Sequence, residues 1–148
     1  MTLDLVGTTA EFFVGQSSVV EPVFRLILSV LLGAVVGWER QVSHKPAGLR
    51  THMLVSLGAC LFTVISIFEF SLDPARIAAA IVTGIGFIGA GSIIGSRGHV
   101  QGITTAASLW TVAGIGLAAG AGSYILATVS AVLVFTILKF RKFENSLR

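Results

Sequence analysis

The sequence predicts an all-α fold: a polytopic membrane bundle of five transmembrane helices, N-terminus outside and C-terminus cytoplasmic. Three observations carry this. Hydrophobic residues make up 54% of the 148 residues and charged residues 11%, whereas a soluble domain carries roughly 25% charged residues. With a mean hydropathy of +0.91, too few charged groups remain to cover a soluble core, so the apolar surface must face lipid. Second, long stretches lack charge: no Asp or Glu lies between Asp73 and Glu144, and no Lys between Lys45 and Lys139. Third, basic and acidic loops alternate along the chain.

A helix rises about 1.5 Å per residue and the hydrocarbon core is about 30 Å thick, so a span takes roughly 20 residues. Residues 1–20 hold Asp4 and Glu11 but no Lys or Arg. They lack the basic start of a signal peptide and read as an extracytoplasmic tail. The transmembrane domain covers residues 21–140. Its first span runs from about Pro22 to Trp38, with Glu21 as N-terminal cap, Pro22 at the first helical position and Arg25 snorkelling to the interface. The second, Thr51 to Phe68, is uncharged. The third, Ile77 to Ser96, follows Asp73-Pro74, where the carboxylate accepts first-turn amide hydrogens and Pro fits its missing N–H. From Val100 to Leu138 nothing is charged, and one helix of that length would measure about 60 Å. Gly120-Ala121-Gly122-Ser123 breaks it into Thr104–Ala119 and Tyr124–Leu138, with Tyr124 suited to the interface. Residues 141–148 form a basic cytoplasmic tail.

Arg40, Lys45 and Arg50 lie in the first loop, Arg97 in the third, and Lys139, Arg141, Lys142 and Arg148 at the end. The N-terminal tail and the second loop carry Asp4, Glu11, Glu21, Glu69 and Asp73. The positive-inside rule places the basic segments in the cytoplasm, which requires an odd number of spans.

GIGFIGAG, Gly84 to Gly91, matches the dinucleotide fingerprint G-x-G-x-x-G. That fingerprint needs a preceding strand and an acidic residue about 20 positions on, yet the next carboxylate is Glu144. Close helix packing is the better reading, because glycine lets backbones approach where lipid removes the hydrophobic drive. Gly84, Gly86, Gly91 and, later, Gly114 are the expected packing positions, and two small faces suggest that the third helix is central. GIGLAAGAGSYI from Gly114 resembles GIGFIGAGSII from Gly84 with one insertion. It reads either as an inverted repeat or as ordinary small-residue membrane sequence.

The polar stretch Gly37-Trp38-Glu39-Arg40, followed by Lys45 to His52, allows positive-inside anchoring. It also allows an anion or partner site shared with Arg97, His99, Thr104 and Thr105. Pro46 and Gly48 argue for a defined turn, and Arg50 is placed to pair with Glu39, hold a phosphate headgroup or satisfy helix-end carbonyls. Asp73 and Arg76 read as a cap with an anchored arginine. Glu69 and Asp73 are weak candidates for a hydrated divalent cation. Trp110, mid-span, suggests packing with its N–H bonded across a helix interface, and Cys60 is a small packing residue. His44, His52 and His99 lack the partners of a zinc site, and Ser56 and Ser108 lack a base and acid, so i−4 backbone bonds account for the serines. No enzyme and no cofactor are expected.

These motifs, GWER at Gly37, KPAGLRTHMLVSLGA at Lys45, DPARIAAAIVTGIGFIGAG at Asp73 and VQGITTAASLWTVAGIGLAAGAG at Val100, together resemble the MgtC/SapB family of bacterial inner-membrane proteins. The resemblance covers Phe24 to Leu138. It implies a five-helix bundle and a role in magnesium limitation, acid tolerance or survival inside host cells, attributed to regulation of the rotary ATP synthase or of membrane potential. It also implies that Glu39, Arg40, Lys45, Arg50, Asp73, Arg76 and Trp110 are function-critical. Virulence-type members add a soluble domain resembling ACT folds, so the membrane module alone is expected here. Expected partners are the lipid bilayer, further copies of the chain, and the rotary ATP synthase or another membrane protein, with no nucleic acid. The leading expectation is a regulator of ion homeostasis; the alternative is a transporter or channel component working as an oligomer.

Overall fold

The computed structural model describes residues 4–69, 73–96 and 99–140, with side chains from Val19 onward except those of residues 74 and 94–99. Five helices form: α1 (Asp4–Val42), α2 (Leu49–Glu69), α3 (Pro74–Gly91), α4 (Ile103–Gly120) and α5 (Tyr124–Lys139). Val19–Val42, Leu49–Glu69 and Ile103–Gly120 are long and apolar enough to cross a bilayer. α3 and α5 are shorter apolar helices of 18 and 16 residues, about 27 and 24 Å long.

α1 departs from the expected start, since Pro22 lies inside the helix. Glu21 does not cap it; its carboxylate reaches forward one turn to Arg25. α3 departs at its end. Ser92 and Ile93 close the last turn through N–H bonds to Gly89 O and Ala90 O, each 3.0 Å. The chain then forms a hairpin of β1 (Ile94–Ser96) and β2 (His99–Gln101), paired antiparallel with Gly95 opposite Val100. The expected third span therefore loses its last turn to a strand. Gly102 makes the return possible: its φ is 94°, and a Cβ there would sit 2.1 Å from Ser92 O, a place only glycine can occupy.

α4, not α3, is the central helix, touching α1, α2, α3 and α5. Two glycine pairs spaced by four residues, one on α1 and one on α4, pack against the same face of α2. A Cβ on Gly33 or Gly37 of α1 would lie 2.8 Å from His52 O and Leu49 Cα respectively. A Cβ on Gly116 or Gly120 of α4 would lie 2.2 Å from Ser56 O and 2.8 Å from Cys60 O. This is the close-packing device of membrane helices. Gly84, Gly86, Gly91 and Gly114 do not take part, for a Cβ on any of them meets nothing within 4 Å. Those expected packing positions face outward in the single chain, because α3 touches its neighbours through Gly89, against Ala106, and Ile85, against Ala59 and Ala113.

The core lies where α1, α2, α4 and α5 meet, around Val36, Cys60, Val112, Ile115, Ala119 and Ala127. Cys60 packs there as expected. Ser56 does not follow the expected backbone bond: its buried Oγ has no partner among the described residues. Pinched between Gly33 and Gly116, its Cβ and carbonyl set the helix spacing instead.

Candidate functional site

One end of the bundle gathers the basic residues around a polar cluster. The last turn of α1 carries Glu39 and Arg40, and both are buried, Arg40 to 1% exposure. A guanidinium so enclosed needs a counter-charge, which Glu39 Oε2 supplies to both Nε and Nη2. Ser43 Oγ donates to the other carboxylate oxygen at 2.7 Å. Next to this pair, His52 of α2 is fully buried. Its Nδ1 lies 2.9 Å from Gly48 O and its Nε2 3.0 Å from Ser108 Oγ on α4. A carbonyl only accepts, so Nδ1 carries the hydrogen, and in the neutral ring Nε2 is the acceptor for the Ser108 hydroxyl. Ser108 Oγ also lies 2.8 Å from Thr105 O, an i−3 rather than the expected i−4 carbonyl, so its single hydrogen serves either Nε2 or that carbonyl at any moment.

The loop between α1 and α2 makes the defined turn that Pro46 and Gly48 suggested. Lys45 N–H bonds to Arg40 O at 3.0 Å, His44 takes φ 52°, and Ala47 is buried. Above the polar cluster this loop, the start of α4 and the end of α5 enclose a cavity of about 1010 Å³. Arg40, His44, Lys45, Thr104 and Thr105 line it. The first turn of α4 has no side-chain cap, so its amides and dipole favour an anion in that space. Lysine, threonine hydroxyls and a helix N-terminus are the donor set for phosphate or carboxylate, whereas a divalent cation would need oxygen anions.

The opposite end is tied by one arginine. Arg25 is buried at 8% exposure and does not snorkel. Nη1 donates to Gly120 O at 2.6 Å, a carbonyl freed by the end of α4, and Nη2 pairs with Glu21. The Phe68 ring lies beneath its guanidinium at 5.6 Å, and Tyr124 OH donates to Glu21 at 3.4 Å. α1, α2 and the α4–α5 turn thus meet at one side chain.

The chain matches the MgtC family over residues 26–146. It belongs to the MgtC family. Similar relatives include the putative magnesium transporter YhiD of Escherichia coli K12, 42% identical over 128 residues, covering 80% of this chain and 60% of the relative. Protein SapB of Bacillus subtilis is 37% identical, covering 78% and 54%. Protein MgtC of Salmonella typhimurium LT2 is 44% identical, covering 76% and 48%. The chain thus spans between about half and three fifths of the length of these relatives. No solved structure matches it.

Among the residues that the family resemblance singled out, this MgtC-family chain brings Glu39, Arg40 and Lys45 to the basic-end site. Arg50 does not join Glu39, which is taken by Arg40 and Ser43; it is exposed at the start of α2. Asp73 makes no side-chain cap to α3, and its Oδ2 instead meets Arg76 Nε at 3.3 Å with both side chains largely exposed. An exposed pair contributes about 0–1 kcal/mol, so Arg76→Ala should leave the thermal midpoint of the purified protein within a few degrees; a large drop would show an interaction beyond Asp73. Glu69 ends α2, and among the described residues no three His, Cys, Asp or Glu side chains come together. Trp110 does not pack across an internal interface, for it is 54% exposed on the outer face of α4. Arg97, the side chain of His99, and Arg141, Lys142 and Arg148 lie outside the described residues.

Sequence reasoning missed the structural weight of Arg25, His52 and Ser108. The available signal was an arginine and a histidine inside otherwise apolar spans, since an ionisable group at such depth is costly unless partnered.

Proposed function

We propose that this MgtC-family membrane protein is a regulator, not an enzyme, linked to magnesium and acid-stress adaptation and to ion homeostasis. It sits in the bacterial inner membrane with its basic end in the cytoplasm, the orientation that the positive-inside rule favours. The carrying observation is the basic-end cavity, lined by Lys45, Thr104 and Thr105 and floored by the Arg40–Glu39 pair. A phosphate or carboxylate of a membrane protein partner, such as the rotary ATP synthase, enters from the cytoplasm and is held there. Below the floor, the space between helices is filled by the apolar core around Val36, Val112 and Ile115, which supports docking rather than passage.

Self-association is the second arm of this regulation. Trp110 and Gly114, one turn apart, both face out of α4. An indole N–H in hydrocarbon lacks an acceptor, and a facing helix supplies both an acceptor and close packing.

The description of the relative YhiD as a putative magnesium transporter favours a second reading in which an oligomer forms an ion or small-solute pathway. Two measurements separate the readings. In-cell cross-linking should recover a defined partner or oligomer with the wild type, and Lys45→Glu should lose the partner while the protein stays folded. Liposomes containing the wild-type protein should pass magnesium no faster than empty vesicles; flux above that background would overturn the regulatory reading.

A further inference from the structure

A second cavity, about 700 Å³, opens to the lipid between α2 and α3. The sequence accounts for it. Gly58 on α2 and Gly84 on α3 both line it, and a Cβ on either meets nothing within 4 Å. The absent side chains hollow a groove instead of closing a contact, and Ala113 of α4 is part of its lining.

The groove has a direction and a charged end. Arg50 lies at one end and Phe62 near the other; these positions on α2 are about 18 Å apart along the helix. One leaflet of a bilayer core is about 15 Å deep, so the groove has the length of a single acyl chain. Arg50 stands at the basic end, where headgroups lie, and is the one charged residue among those lining the groove. Its side chain has no hydrogen-bond or ion-pair partner among the described residues. It is also the second residue of α2, where the positive end of the helix dipole disfavours a cation and favours an anion. A phosphate there would answer both the guanidinium and the dipole, with two donors to one oxyanion.

We propose that this groove binds an anionic phospholipid from the leaflet at the basic end, with one acyl chain between α2 and α3 and the headgroup phosphate on Arg50. The site is separate from the basic-end cavity, and it depends neither on the regulatory reading nor on which face of the membrane the basic end occupies. It also assigns a role to Gly84 that packing within the chain does not.

Native mass spectrometry tests it, using protein released from nanodiscs of equal dioleoylphosphatidylglycerol and dioleoylphosphatidylcholine. The wild type should retain phosphatidylglycerol preferentially, and Arg50→Gln should reduce that preference by about tenfold, the worth of one charged hydrogen bond. Gly84→Leu, which fills the groove, should lose both lipids, while Gly114→Leu, on a different helix face, should keep the preference. A phosphatidylglycerol carrying a photoreactive acyl chain, used with wild-type protein, removes any dependence on variant folding. Its label should fall on α2 and α3 between residues 54 and 88. Unchanged binding in both Arg50→Gln and Gly84→Leu, or label spread evenly over the lipid-facing helices, overturns the proposal. So does a disulfide between two copies formed through Gly84→Cys, which would make a second chain the occupant.

Discussion

Gly116→Leu should cripple the bundle, whereas Gly84→Leu should leave its stability nearly unchanged. A Cβ on Gly116 would sit 2.2 Å from the Ser56 carbonyl oxygen and 2.9 Å from its carbonyl carbon. Backbone atoms cannot rotate away, so α4 and α2 must separate, and the cost should exceed the about 1–3 kcal/mol usual for overpacking. The separation would spread, because Gly33 of α1 packs against the same stretch of α2, at His52 and Ser56. It would also move His52 from Ser108. Gly84 has open space around it, so its side chain would project into the groove and leave the helix contacts intact. Thermal unfolding of the two variants in the same detergent checks this. Gly116→Leu should fall well below wild type or fail to purify as a monodisperse protein; equal midpoints for the two variants would refute the assignment of the close contact.

The contrast shows where the sequence was legible. Five helices and their approximate limits followed from charge-free runs, because the cost of burying charge in lipid acts on every residue of a span. Which face of a helix meets which neighbour was not recoverable that way. Glycines mark close approach but do not name the partner, and α3, with its denser glycines, drew attention from Gly33–Gly37 and Gly116–Gly120. Those pairs have the i, i+4 small-residue spacing and were visible in the sequence as GAVVG and GLAAG. Trp110 was misread for the same reason, since its depth was legible and its outward direction was not. The hairpin was missed because Ile93 and Ile94 extend an apolar run, and only the return through Gly102 ends it. Of the site, Glu39, Arg40 and Lys45 were found because they are charged at a span's edge. His52 with Ser108 and Arg25 with Gly120 join residues 56 and 95 positions apart. Such pairings depend on how the helices assemble, which local spacing does not encode.

Glu39→Ala should be among the most damaging single changes outside the glycine contacts. Arg40 is 1% exposed and Glu39 8%, and the carboxylate is the counter-charge of that guanidinium. Removing one member of a buried pair leaves an uncompensated charge and costs about 3–5 kcal/mol, while replacing both with apolar groups of similar volume is often neutral. The double variant Glu39→Leu with Arg40→Met should therefore recover most of the thermal stability that Glu39→Ala loses. This separates two roles that a single substitution confounds. Arg40 lines the basic-end cavity as well as holding Glu39. If the pair only braces the end of α1, the stable double variant should retain partner cross-linking. If Arg40 also presents charge to an anionic group, as the regulatory reading requires, the double variant should be folded yet lose the partner, as Lys45→Glu does. A double variant that stays as unstable as Glu39→Ala would show that the pair's hydrogen bonds, including that from Ser43 at 2.7 Å, contribute more than its charge balance.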